Sequence, residues 1–197
     1  LRLALPEHFA LITRRLLERL ERENVLYAEI NLSVGVWLWR GLEFEPYFAA
    51  VAGEAARSPV RTHFIFDAVR QFGVDEAWRV ARLAESARER GVIGFGIGGD
   101  EARGPAKDFR EVFAWASARS LHLAPHAGEV AGPQSVWDAL ECGAERIGHG
   151  VRSIEDPVLV RHLAERRIPL EVCISSNVCT GAVASLADHP VRRLYDA

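Results

Sequence analysis

Apolar positions along the chain alternate between two patterns: short, nearly unbroken runs and longer amphipathic stretches. Residues 6–23, PEHFALITRRLLERLERE, carry Phe9, Ile12, Leu16 and Leu20 among charges. That spacing predicts one helix with a single apolar face. A run at 24–33, NVLYAEINLS, then predicts a strand with one odd charge, Glu29, inside it. Further strands are predicted at 60–69, 92–99, 121–128, 145–150 and 168–177. Helices are predicted between and after them, at 75–90, 108–120, 132–143, 156–167 and 189–197. Their ends carry the expected punctuation: Asp75 as an N-cap, Gly91 and Gly143 as stops, and Asp156–Pro157 as an N-cap with proline in the first turn.

The order is one helix followed by six strand–helix units. The strands are mostly continuous apolar runs, which fits strands covered on both faces, as in a parallel sheet with helices outside. Two α/β architectures compete, a doubly wound open sheet and a TIM-type (β/α)8 barrel. Polar groups at the strand ends favour the barrel. Asn31 and Ser33 follow the first strand, Asp67 and Arg70 the second, and Gly99 and Asp100 the third. His126 and Glu129 follow the fourth, His149 the fifth, and Ser175, Ser176 and Asn177 the sixth. A barrel gathers all strand ends at one mouth, whereas an open sheet concentrates ligand groups at one switch point. A barrel of about 250 residues devotes roughly 31 to each unit. The 197 residues are therefore expected to form a single domain, 1–197, holding about six of the eight units, with the first and last strands absent.

Composition narrows the function. The chain is 49% hydrophobic and 26% charged, with formal net charge -3. This is a globular composition with no electrostatic pull towards nucleic acid or an anionic membrane. Three cysteines, Cys142, Cys173 and Cys179, contain no C-x-x-C pair. Neither a disulfide framework nor a cysteine zinc site is expected, and a reducing cytoplasm fits. No apolar run has the length of a membrane span, and the N-terminus lacks a signal-peptide layout. The chain contains no Met, so it is expected to be a piece of something longer.

His126 and His149 end successive strands, in PHAGE and RIGHG. Each reads either as a core histidine bonded to a loop or as a metal ligand or general base. Glu129 reads either as a favourable charge at a helix start or as a proton shuttle near His126. Asp100 and Glu101 in GGDE read as solvated turn charges, with the glycines admitting substrate to the backbone. Glu29 and Glu171 read best as members of an internal ion pair with Arg61, Arg70 or Arg146. Asp67 is a further carboxylate at a strand end. His8, His162 and His189 read as surface or helix residues, and His63 and His122 lie away from the mouth. A serine hydrolase is a poor reading because no G-x-S-x-G elbow exists, and no phosphate loop occurs. Trp37, Trp39, Phe44 and Phe48 in the 33–61 connection read mostly as packing.

The motifs GGDE, HAGE, ERIGHG, LEVCISSN, TGAV and HP, in this order and spacing, resemble the adenosine deaminase family of the metal-dependent amidohydrolases. FIFDAVRQFG and SSNVCTGAV resemble its bacterial branch, which includes adenine and aminodeoxyfutalosine deaminases. The resemblance implies a (β/α)8 barrel with one zinc at its mouth. That metal lowers the pKa of water, which then displaces ammonia from C6 of an adenine ring. It implies His126 as a zinc ligand, Glu129 as the acid/base group protonating N1, and His149 as the group orienting the water. It implies Gly99 as a backbone donor to the purine, and places Ser175 and Ser176 near the site. The implied substrate is a small purine nucleoside or base: adenosine, adenine or aminodeoxyfutalosine. The family's first strand carries a His-x-His pair and its eighth an Asp-Asp pair, and neither has a counterpart here. The 197 residues alone are thus expected to bind zinc weakly and turn over poorly. Two rivals remain: another metal-dependent barrel hydrolase, for which the lone Lys107 is badly placed, and a non-catalytic remnant.

Overall fold

The computed structural model describes residues 3–197. Helix α1 (Pro6–Arg22) precedes β1 (Tyr27–Leu32), and β2 (Arg61–Val69) and β3 (Val92–Gly98) follow. The fourth strand is split into β4 (His122–Leu123) and β5 (His126–Ala127), with β6 (Ile147–His149) and β7 (Leu170–Glu171) after it. Every pairing is parallel, in the orders β1-β2-β3-β4 and β5-β6-β7. Pro125 separates the two ladders because it has no N–H to donate. Bonds on either side bridge the break. Ala124 N donates to Phe95 O at 3.2 Å, and Gly148 N donates to Pro125 O at 2.9 Å. The result is one six-stranded parallel wall, a partial (β/α) barrel, as the strand-end pattern predicts.

Buried runs along β2 and β3 show why these strands read as continuous apolar segments. Their outer faces lie under α4 (Val74–Ser86) and α5 (Arg110–Ser117), with Val80, Ala84, Val112 and Phe113 at zero exposure. Gly73 caps α4 and Asp75 falls inside its first turn, so the helix starts one residue before the expected cap. In α1 the buried face is Phe9, Thr13 and Leu17, while Ile12 and Leu16 stay exposed. Leucines populate both stripes of α1, and its packing on α3 (Phe44–Arg57) selects one. Phe9 meets Trp37 and Tyr47 edge-on at 5.2 and 5.1 Å. The 33–61 connection forms α2 (Val34–Trp39) and α3, and its aromatics pack as expected. Trp37 and Phe48 are buried, and Trp39 stacks on Phe72 at 5.3 Å. The remaining helices are α6 (Pro133–Glu141), α7 (Pro157–Arg166), α8 (Ile174–Cys179) and α9 (Val191–Asp196). Helix α8 corrects one expectation. The sixth strand ends at Glu171, and residues 174–179 are helical rather than extended.

Curvature is visible in one ion cluster. Arg146 Nη2 reaches Glu29 Oε2 on β1 at 2.5 Å, and its Nε reaches Glu171 Oε1 on β7 at 2.8 Å. The first and last strands of the wall therefore come within one arginine's span. Burial raises the Glu29 pKa, but the Tyr27 hydroxyl and Arg146 outweigh it and hold the group below its ordinary 4.5. Arg146→Met leaves two half-buried carboxylates facing each other without a cation. It is expected to cost about 2 kcal/mol at pH 7. A depressed carboxylate pKa contributes stability above the unfolded value, lost as pH falls through the folded one. The gap between parent and variant should therefore narrow below pH 4.5. Thermal melts at pH 7 and in acid check this, and an equal gap at both would refute it.

Candidate active site

Strands β5 and β6 end side by side and present His126 and His149. Their rings sit 4.9 Å apart at 69°. Small neighbours make room for His126: a Cβ on Gly148 would lie 2.8 Å from its Cδ2. His149 closes β6 with φ at 65°, a left-handed conformation costly for a side-chain-bearing residue. Gly150 N, bonded to Ala127 O at 3.0 Å, helps hold it there.

The imidazole of His126 is neutral. Burial, then His149 and Arg70, push its pKa down to about 4. Asp67 lies close, its Oδ2 3.9 Å from His126 Nε2. Burial, with Glu171 adding to it, pushes the Asp67 carboxyl up to about 8. Both shifts disfavour the charged forms, so the 3.9 Å contact is not held together as an ion pair. Asp67 Oδ1 has no hydrogen-bond partner among the described residues. A Cβ on Gly96 would collide with that oxygen at 2.2 Å, so only glycine leaves Asp67 its space.

Glu129 stands over the pair. Its Oε2 is 3.5 Å from His149 Nε2, and its Oε1 accepts from the Thr180 hydroxyl at 3.1 Å. The backbone around it is gripped from both sides. Glu101 is 4% exposed. Its carboxylate accepts from Gly128 N and Glu129 N at 2.8 Å, Val130 N at 3.2 Å and Ser135 Oγ at 2.7 Å. Arg70, 2% exposed, donates to Gly104 O and to His126 O. Burial lowers the Arg70 pKa, and the Glu101 charge opposes that shift.

The structure brings together His126, His149, Glu129 and Asp67. It also recruits groups that the sequence reading placed elsewhere. Glu101, expected as a solvated turn charge, is buried because four donors satisfy it. Asp100 remains local and caps the following turn through Ala102 N at 3.0 Å. His189, expected on the surface, is 8% exposed. Its Nε2 faces Asn177 Oδ1 at 3.4 Å, and Asn177 Nδ2 meets His149 Nδ1 at 3.0 Å. The turn of helix at α8 delivers Asn177 inward and leaves Ser175 and Ser176 exposed. Gly99 is exposed at the end of β3 with φ at 95°. An apolar groove of about 490 Å³ between α7 and α9 contains none of these residues.

His126 fits one position of a metal site. A ligand nitrogen must be unprotonated, and burial keeps this ring neutral. Neither of its nitrogens has a hydrogen-bond partner among the described residues, and the side chain keeps 27% of its surface open. Among the described residues, however, no group of three His, Cys, Asp or Glu side chains is placed to hold a metal. The described residues thus hold no closed metal site.

A family model described as adenosine deaminase matches residues 2–197. A Streptomyces coelicolor aminodeoxyfutalosine deaminase is 41% identical over 199 residues, covering 98% of this chain and 51% of that protein. An Agrobacterium fabrum adenine deaminase is 36% identical over 196 residues, covering 97% of this chain and 60% of that protein. The crystal structure of an Arthrobacter aurescens adenine deaminase aligns with a TM-score of 0.89 at 31% identity, covering 98% of this chain and 61% of that one. The chain thus spans about half the length of the first of these curated relatives.

Proposed function

The chain belongs to the adenosine deaminase family, and from that membership we propose that the whole protein hydrolyses the exocyclic amine of a 6-aminopurine. The observation that carries the reading is the Glu129 carboxylate, held between His149 and Thr180 beside a neutral His126. His126 is proposed as a ligand to one zinc ion, whose further ligands lie in the whole protein outside these residues. When bound, zinc supplies a water of lowered pKa at neutral pH. Glu129 delivers a proton to ring N1 while the water oxygen bonds to C6. The C6–N bond then breaks, and the amine leaves as ammonia, having taken one of the two protons the attacking water gives up, while the other returns to Glu129. His149 orients the attacking oxygen, and Gly99 presents its backbone N–H to the purine.

Residues 1–197 are read as part of one barrel domain. The proposed partner is a small-molecule purine nucleoside or base, and net charge -3 supports no nucleic-acid role. No helix among the described residues is long and apolar enough to cross a membrane. Three free cysteines accord with a cytoplasmic setting. The 41% identity to an aminodeoxyfutalosine deaminase makes that nucleoside the first substrate to try.

The test is a screen of adenosine, adenine and aminodeoxyfutalosine on the zinc-loaded full-length protein, followed by loss of adenine absorbance with ammonia release. One of the three is expected to turn over, and silence on all three would sink the reading. In parallel, the 197-residue chain alone is expected to hold far less than one zinc after dialysis, since one histidine cannot close a site. Tight stoichiometric zinc in that chain would show that the ligand set is wrong.

A further inference from the structure

One hydrogen-bonded path at the mouth starts from a donor whose direction is fixed. Val191 N, a backbone N–H, lies 3.1 Å from His189 Nδ1. A backbone N–H only donates, so His189 Nδ1 is the acceptor and carries no proton. The His189 ring is then neutral with its proton on Nε2. That N–H faces the Asn177 side chain at 3.4 Å, so the atom facing it is the amide oxygen. The amide nitrogen of Asn177 consequently points the other way, at His149 Nδ1, 3.0 Å away. Because an amide nitrogen donates, His149 Nδ1 is also an acceptor. Turning the Asn177 amide over would require His189 to accept at both nitrogens, which a neutral imidazole cannot do.

We propose that Asn177 and His189 are positioning residues that fix His149 as the tautomer with its proton on Nε2. Every member of the path is enclosed: Asn177 is 0%, His149 7% and His189 8% exposed. Bulk water therefore does not readily substitute for these bonds. The consequence reaches the proposed chemistry. His149 Nε2 faces Glu129 Oε2 at 3.5 Å, so the group turned towards the mouth is a donor. Through that nitrogen His149 donates to an oxygen; it does not take a proton from the attacking water. Among the described residues, proton acceptance then falls to Glu129, whose other oxygen is held by Thr180. The strained backbone of His149 then has a use, since it aims this N–H.

The functional half of the inference rests on Glu129 and His149 serving the proposed deamination; the tautomer itself does not. Nitrogen-15 spectra of the imidazole rings in the zinc-loaded full-length protein should show His149 with a pyrrole-type Nε2 and a pyridine-type Nδ1. A proton on Nδ1 overturns the proposal without any variant or activity. Asn177→Asp replaces the donor by a carboxylate of the same shape, which accepts from both histidines. It should move the His149 proton to Nδ1. It should also lower kcat about 100-fold with KM within about threefold, the pattern of a mis-set tautomer. A variant that keeps the Nε2 proton, or inverts it with kcat within about twofold of the parent, removes the positioning role. If the parent turns over none of the three purines, the deaminase reading fails while the spectrum still decides the tautomer.

Discussion

Glu129→Gln in the full-length protein is expected to lower kcat by about three orders of magnitude and to leave zinc content unchanged. The substitution keeps the size and shape of the side chain. Glutamine still accepts from the Thr180 hydroxyl, now 3.1 Å from Oε1, so the loop should stay in place. What is lost is a group that both gives a proton to the ring and takes one back. An amide does neither at any working pH. The loss should fall on kcat, because proton transfer belongs to the transition state and not to substrate binding. Zinc should stay because His126, not Glu129, is the proposed ligand. Metal analysis beside Michaelis kinetics checks both halves. A variant within about tenfold of the parent would place the proton carrier elsewhere, and one that lost zinc would make Glu129 a ligand.

Much of the barrel is legible in the sequence for a physical reason. A parallel strand covered on both faces needs apolar side chains in both directions; β3 shows it as an unbroken run, and β2 as residues 64–66 and 68–69 around Asp67. The ends of those runs mark the mouth, which is how His126, His149 and Glu129 stand out. The internal ion cluster of Glu29, Glu171 and Arg146 is legible in the same way, since a charge in an apolar strand demands a partner. What stays hidden depends on partners that a sequence does not label. Glu101 answers to backbone amides 27 to 29 residues away, and any residue but proline carries one. Its neighbours Gly99 and Asp100 look like an ordinary turn. The α8 turn is hidden because Val172, Cys173 and Ile174 continue the apolar pattern past Glu171 with no glycine or proline to end it, and Asn177 settles the local geometry through His149. His189 precedes a proline, a usual surface signature, yet inside the fold it meets Asn177 and the Val191 amide, partners the sequence does not mark. A buried carboxylate with one sequence signal was available for Glu101: it sits four residues past the apolar end of β3, where barrel loops build sites.

Glu101→Gln should be the most damaging change outside the residues proposed to touch substrate. Each carboxylate oxygen of Glu101 accepts two bonds. Oε2 takes Gly128 N and the Ser135 hydroxyl, and Oε1 takes Glu129 N and Val130 N. In glutamine one of those oxygens becomes a donor, and it meets donors that cannot turn round, since backbone amides only donate. The hydroxyl of Ser135 can rotate to accept, but Gly128 N cannot, and neither can the other two amides. At least one buried N–H is left unpaired whichever way the amide points. Bonds to a charged acceptor contribute about 1.5 to 3 kcal/mol each, and an unpaired buried donor costs about 1 to 3. A stability loss of about 3 kcal/mol follows. The gripped amides include that of Glu129 itself, so loosening them shifts its carboxylate from the 3.5 Å contact with His149. A misplacement of about 1 Å is enough for about 100-fold in kcat. Ser135→Ala provides the internal comparison, because it removes one donor and leaves the carboxylate to serve the three amides. It should cost about 1 kcal/mol and only a few-fold in kcat. Denaturant melts and kinetics on both variants of the full-length protein check the ordering. If Glu101→Gln proved no more harmful than Ser135→Ala, charge on Glu101 would not be what holds the loop, and Arg70, gripping the His126 carbonyl, would be left as its main support.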